Sequence, residues 1–104
     1  MHIVSRALLT AFFSRPEHAD SREALDAWWK AAQSATWASP ADVKAQYRNA
    51  SFVANNRVVF NIAGNKYRLV VAFAYRTGRG YIKFIGTHAQ YDEVDAATVD
   101  QSKE

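Results

Sequence analysis

The 104-residue sequence contains no cysteine. That excludes disulfides, thiolate nucleophiles and cysteine-rich zinc sites, and it fits a cytoplasmic setting. Long apolar runs are missing as well. Residues 7–13 are apolar apart from Thr10 and run straight into Arg15, Pro16 and Glu17, too short a core for a secretory signal. No stretch approaches the roughly 20 apolar residues that cross a bilayer, so no membrane partner is expected. With only two prolines and four glycines, the chain has no linker or low-complexity tract. One domain over residues 1–104 is expected, with residues 96–104 as a frayed tail.

The most informative absence is local. Between Val43 and Tyr91 there is no Asp or Glu, while eight basic residues occur: Lys44, Arg48, Arg57, Lys66, Arg68, Arg76, Arg79 and Lys83. The acids lie before this segment (Glu17, Asp20, Glu23, Asp26, Asp42) or after it (Asp92, Glu93, Asp95, Asp100, Glu104). Soluble surfaces usually intersperse the two signs, because mixed charge limits self-repulsion in the compact state. A carboxylate-free stretch of this length points to a polyanion, RNA first, rather than to a merely solvated face. It also argues against two-metal nuclease chemistry, which needs clustered carboxylates. No metal or other cofactor is expected.

What is present divides into a helical half and a stranded half. Apolar residues recur at helical spacing over Arg6–Phe13, and Pro16 breaks the pattern. Asp20 or Ser21 is placed to cap a second helix, with Glu23 completing a capping box. Leu25, Trp28, Trp29 and Ala32 then form one buried face. Ser39-Pro40 starts a short third helix carrying Val43 and Tyr47. The tryptophans are accordingly read as core. Beyond Arg48 come strands and tight turns: Asn55-Asn56, residues 63–66 and residues 76–80 punctuate β-branched and aromatic runs. Successive hairpins predict an antiparallel meander, and helices segregated before it predict an α+β fold with the helices on one face.

If the last loop is residues 76–80, Tyr75 faces Tyr81 and Arg68 lies opposite His88. Lys83 then points away from His88 unless a bulge re-aims it. Arg68, Lys83, His88 and Tyr91 make a chemically coherent set. RNA is cut without metal when its 2′-hydroxyl attacks the adjacent phosphate, which requires a proton acceptor, a donor for the departing 5′-oxygen and cations on the phosphorane. Histidine and tyrosine can exchange protons, and arginine offers a fork that suits phosphate. Each residue has a plainer alternative: His88 as a strand end, Tyr91 as packing, Arg68 as a bridge to Asp92. Asn61, Gly64 and Asn65 read first as turn residues and second as a nest for phosphate. His2 and His18 are assigned no chemistry.

The strings Asn56-Arg57-Val58-Val59-Phe60-Asn61-Ile62, Gly64-Asn65-Lys66-Tyr67-Arg68-Leu69 and Ile82-Lys83-Phe84-Ile85-Gly86-Thr87-His88, followed by Tyr91-Asp92, resemble the HigB family. These are toxins of bacterial type II toxin–antitoxin pairs within the RelE/ParE superfamily. The resemblance implies a RelE/ParE-like α+β fold and a metal-independent mRNA endonuclease that works on ribosome-bound transcripts. It further implies silencing by a HigA-type antitoxin carrying a helix-turn-helix. By motif position it points to Arg68, Lys83, His88 and Tyr91 as catalytic. Arg57, Asn61, Asn65, Lys66, Arg76 and Arg79 are the candidate RNA contacts. The superfamily also contains gyrase poisons, so a gyrase-directed toxin and a non-catalytic RNA- or ribosome-binding module stay open as alternatives.

Overall fold

The computed structural model describes residues 1–103. The chain opens with a short strand, β1 (His2–Val4), which three residues are too few to announce through alternation. Ser5 then caps α1 (Arg6–Phe13), its hydroxyl accepting from the Ala7 N–H. A 3₁₀ turn over Pro16–Ser21 leads into α2 (Arg22–Ser34). The expected capping box is not formed. The 3₁₀ turn runs directly into the helix, so Ser21 is itself helical and makes no side-chain cap bond. The Asp20 carboxylate turns elsewhere and accepts from Lys66 and Tyr67. α3 (Pro40–Gln46) starts with proline in the first turn after an extended Ser39, as the sequence predicts.

Four strands follow in order: β2 (Ser51–Val53), β3 (Arg57–Ile62), β4 (Tyr67–Ala74) and β5 (Arg79–Thr87). They form the expected antiparallel meander. β1 adds itself parallel to the free edge of β5, pairing with Arg79, Gly80 and Tyr81, so the sheet is mixed and ordered β1-β5-β4-β3-β2. Asn55 and Asn56 adopt positive φ, 65° and 57°, in a three-residue loop with Ala54. Asparagine tolerates this region better than other side chains, which is why the pair marks the turn. α4 (His88–Asp92) closes the helical set, with Thr87 and Gln90 in a reciprocal capping box.

The sheet's alternation sorts its residues onto two faces. Val58, Phe60 and Ile62 of β3 and Tyr67, Leu69, Val71 and Phe73 of β4 point at the helices, where they meet Leu9, Leu25, Trp28, Trp37 and Val43 in one buried core. Phe60 sits at its centre, 5.3 Å from the Trp28 ring and 5.2 Å from the Tyr47 ring. Trp28 and Trp37 are buried and Trp29 packs against the same core, so the tryptophans are structural. The opposite face carries a small second cluster of Val59, Val70 and Phe84. It is covered by Tyr91, Val94, Ala96 and Val99. The tail expected to fray from residue 96 is therefore docked. Its valines hide apolar sheet surface, a gain of roughly 25 cal/mol per Å² that a solvated tail would forfeit.

The register of the last hairpin differs from the expected one. The turn is made by Tyr75–Thr77 and Gly78, the latter at φ 69°, so Ala74 pairs with Arg79 and Ala72 with Tyr81. A bulge then inserts Lys83: Val71 pairs with Ile82, but Val70 pairs with Phe84. The extra residue resets the alternation, which is how Ile82 and Ile85, three apart, both reach the helix-side core. Arg68 consequently faces Gly86, and His88 is not in the strand but opens α4.

Candidate active site

Three strands present one row across the outer face of the sheet. Asn61 of β3 is the partner of Arg68 on β4, which is in turn the partner of Gly86 on β5. His88 follows two residues beyond Gly86, and its backbone N–H donates to the Lys66 carbonyl at 3.1 Å, tying the start of α4 to the β3–β4 turn. Tyr91, one turn further, packs on the outer apolar cluster with its ring 6.3 Å from Phe84. Lys83 is next to Phe84 at the bulge. Topology thus brings Arg68, His88 and Tyr91 towards the end where β5 passes into α4, while Lys83 stands three residues before Gly86 at the bulge.

Gly86 has a steric reason to be glycine. A Cβ there would lie 2.6 Å from Phe84 Cζ and 2.8 Å from Gln90 Oε1. Gln90 is held in the capping box by the Thr87 N–H at 2.9 Å. The residue behind the row must therefore lack a side chain so that α4 can pack against the sheet.

The electrostatics are less one-sided than the sequence. His88 Nδ1 lies 3.1 Å from Asp92 Oδ2, one helical turn on. Lys83 Nζ lies 3.2 Å from Asp100 Oδ2, and both side chains are largely covered, 22% and 12% exposed. The Ser102 hydroxyl, and after it the Lys83 ammonium, holds the Asp100 carboxyl below its ordinary pKa. Lys66 is paired with Asp20, which lowers the pKa of Asp20 through the Lys66 and then the Tyr67 hydrogen bond and raises that of Lys66. Acids remote in sequence have folded back onto the acid-free segment. Arg68 is different: among the described residues it meets no carboxylate, and its guanidinium donates only to the Asn65 and Tyr67 carbonyls, at 3.1 and 3.4 Å. The expected alternative of an Arg68–Asp92 bridge is not formed.

The remaining candidates separate. Asn61 and Asn65 line a polar cleft of about 360 Å³ together with Tyr47, Arg48, Asn49 and Gly64. Arg57 is not a surface contact at all. It is 8% exposed, and its guanidinium donates to the Ala96 and Val99 carbonyls at 2.9 and 2.5 Å. Its position on the outer face of β3, next to Val59, puts it under the tail rather than in solvent. Arg76 and Arg79 belong to the opposite end of the β4–β5 hairpin. Arg79 is seven residues from Gly86 along β5, roughly 23 Å at about 3.3 Å per residue, so neither joins the cluster.

Sequence reasoning missed four residues of this region. Asp92 had a readable signal, since it stands four residues after His88 and the two face each other once a helix forms. Arg48 and Asn49 sit in an irregular stretch with no period to place them. Asp100 lies 17 residues from Lys83, and nothing local predicts that contact. His18, assigned no chemistry, is buried and stacked on Phe12 at 4.0 Å. Among the described residues no three His, Asp or Glu side chains converge in a metal-ligating group. No helix among them is long and apolar enough to cross a membrane.

These features define the class: a small α+β protein with a histidine-led helix beside an arginine on the outer face of its sheet. The family model for the HigB toxin, described as the RelE-like toxic component of a toxin-antitoxin system, matches residues 21–94. The chain belongs to this family, and an antitoxin is accordingly its partner. Comparison with curated proteins finds no match.

Proposed function

We propose that this toxin is a metal-independent mRNA endonuclease that acts in the cytoplasm on ribosome-bound transcripts and is silenced by a HigA-type helix-turn-helix antitoxin. The observation that carries the reading is the Asn61–Arg68–Gly86 row ending at His88. It sets a guanidinium that has no carboxylate partner among the described residues on the same sheet end as a histidine and a tyrosine. Arg68 takes the scissile phosphate by its fork, and Lys83 meets the negative charge that grows on the phosphorane. His88 and Tyr91 share the proton transfers: one accepts from the 2′-hydroxyl, the other donates to the departing 5′-oxygen. The 2′-oxygen–phosphorus bond forms as the phosphorus–5′-oxygen bond breaks, leaving a 2′,3′-cyclic phosphate and a 5′-hydroxyl. Asp92 orients the His88 ring from its Nδ1 side. The nearby carboxylates are engaged individually, Asp92 with His88 and Asp100 with Lys83.

The test is to map RNA ends after adding the purified toxin to a ribosome-containing translation reaction. Ends bearing a cyclic phosphate and a 5′-hydroxyl, absent when antitoxin is supplied, are expected. Intact RNA bound with a steep salt dependence would instead mark a non-catalytic binding module. Intact RNA with altered DNA supercoiling would mark a gyrase-directed toxin.

A further inference from the structure

The segment after α4 is attached in two ways. Residues 94–99 are anchored. Val94, Ala96 and Val99 pack on Val59, Val70 and Phe84. Arg57 clamps the Ala96 and Val99 carbonyls, and Asn55 Nδ2 donates to the Ala97 carbonyl at 2.7 Å. Asp100 and Gln101 reach the sheet by polar contacts instead. Asp100 pairs with Lys83 at 3.2 Å. Gln101 uses both ends of its carboxamide on Ile85: it accepts from the backbone N–H at 2.9 Å and donates to the carbonyl at 3.3 Å.

The Gln101 contact has a topological cause. β1 pairs with β5 only at residues 79–81, so among the described residues the outer edge of β5 beyond Tyr81 has no strand beside it. An open edge exposes backbone donors and acceptors, and one carboxamide satisfies the pair at Ile85 as a neighbouring strand would. The Asp100 contact has a chemical consequence. A carboxylate and a phosphate present the same charge sign and the same kind of acceptor oxygen to an ammonium group. Whatever anion Lys83 is meant to meet must first replace Asp100. A single charge pair and two carboxamide hydrogen bonds are a weak closure that a polyanion can open, while the valines and Arg57 keep the segment on the sheet for re-closing.

We propose that Asp100 and Gln101 form a self-inhibitory latch, in which Asp100 occupies the place of an RNA phosphate on Lys83 and Gln101 fastens the segment to the open edge of β5. The latch rests on the reading of Lys83 as an RNA-facing cation, and it assigns Arg57 a role as its clamp rather than as an RNA contact.

The latch is tested on the full chain with a 2′-O-methyl RNA oligonucleotide, which binds but cannot undergo transesterification. Asp100→Asn and Asp100→Asn/Gln101→Ala should bind it about fivefold more tightly than wild type, in the range of one partly exposed charge pair. The gain should disappear in a Lys83→Met background. A gain that survives Lys83→Met is a net-charge effect and overturns the latch, as does unchanged or weaker binding by both variants. Amide exchange at Ile85 should accelerate when the oligonucleotide binds wild type, and continued protection overturns the proposal independently of affinity. Cleavage of ordinary RNA separates the two readings. Tighter binding by the variants without cutting by any form sustains the latch and removes the nuclease. Cutting by wild type with no effect of opening does the reverse, and failure of every form to bind RNA removes both.

Discussion

His88 and Asp92 stand one turn apart at the start of α4, with imidazole Nδ1 3.1 Å from the carboxylate. The helix is only five residues long, so its two capping hydrogen bonds and this pair are a large part of what holds the ring in place. A histidine fixed from its Nδ1 side offers Nε2 outward, the geometry that proton transfer requires.

The first prediction concerns that pair. His88→Gln should lower RNA cleavage by about 10²–10⁴-fold, the usual contribution of a positioned acid or base. Asp92→Asn should lower it by less, because the ring survives and only its orientation is loosened. Both variants should keep the wild-type circular dichroism spectrum and thermal midpoint within experimental error, since both side chains are exposed. Undiminished cleavage by His88→Gln would remove His88 from the chemistry.

Gly86→Ala should damage the site from behind. Its methyl group would strike Phe84 and Gln90. Phe84 is fixed in the outer cluster and Gln90 is engaged in the Thr87 cap, so neither moves freely. A cost of about 1–3 kcal/mol is expected, as for other overpacked sites. Urea unfolding measures it, and the lost cap should also appear as faster amide exchange at Gln90.

The core should respond by volume. Leu69 is fully buried on the helix side of β4, and Leu69→Ala should cost about 2–5 kcal/mol in chemical denaturation. Asn65→Ala, at the exposed β3–β4 turn, should cost far less and change cleavage more than stability.

Acid should destabilise the molecule partly through Asp20. Its pKa is depressed by the Lys66 and Tyr67 hydrogen bonds. A depressed carboxylate contributes stability above its unfolded pKa and loses it as pH falls through the folded one. The raised Lys66 pKa gives a contribution present below the unfolded lysine pKa and lost only in strong alkali. The window to watch is therefore below about pH 4. Asp20→Asn should flatten the fall in urea midpoint there, and an unchanged slope would show that the pair adds nothing to acid stability.

Much of this fold can be read from residue order because its causes are local. Pro40 begins a helix whatever surrounds it, Leu25, Trp28 and Ala32 share a helical face by spacing, and Asn55-Asn56 suits a left-handed turn. The HigB-like strings from Asn56 to Asp92 likewise sufficed to indicate the family. Spacing fails where a single inserted residue changes the outcome. The tighter turn at Tyr75–Thr77 moved the register by three residues and the bulge at Lys83 returned one, so Arg68 came to face Gly86 instead of His88, and side-chain direction in a strand flips with every residue.

The sequence by itself determined α1 to α3, the strands β2 to β5, the helix-side core and a segment of uncompensated positive charge. Only the tertiary structure decided how much of that charge is uncompensated in space. Folding laid Asp20 on Lys66 and Asp100 on Lys83, buried Arg57 beneath the tail, and left Arg68 without a carboxylate among the described residues. The physical reason is that Coulombic pairing depends on distance through space, and the contacts that matter here join residues 17 to 46 positions apart, beyond the reach of any local pattern.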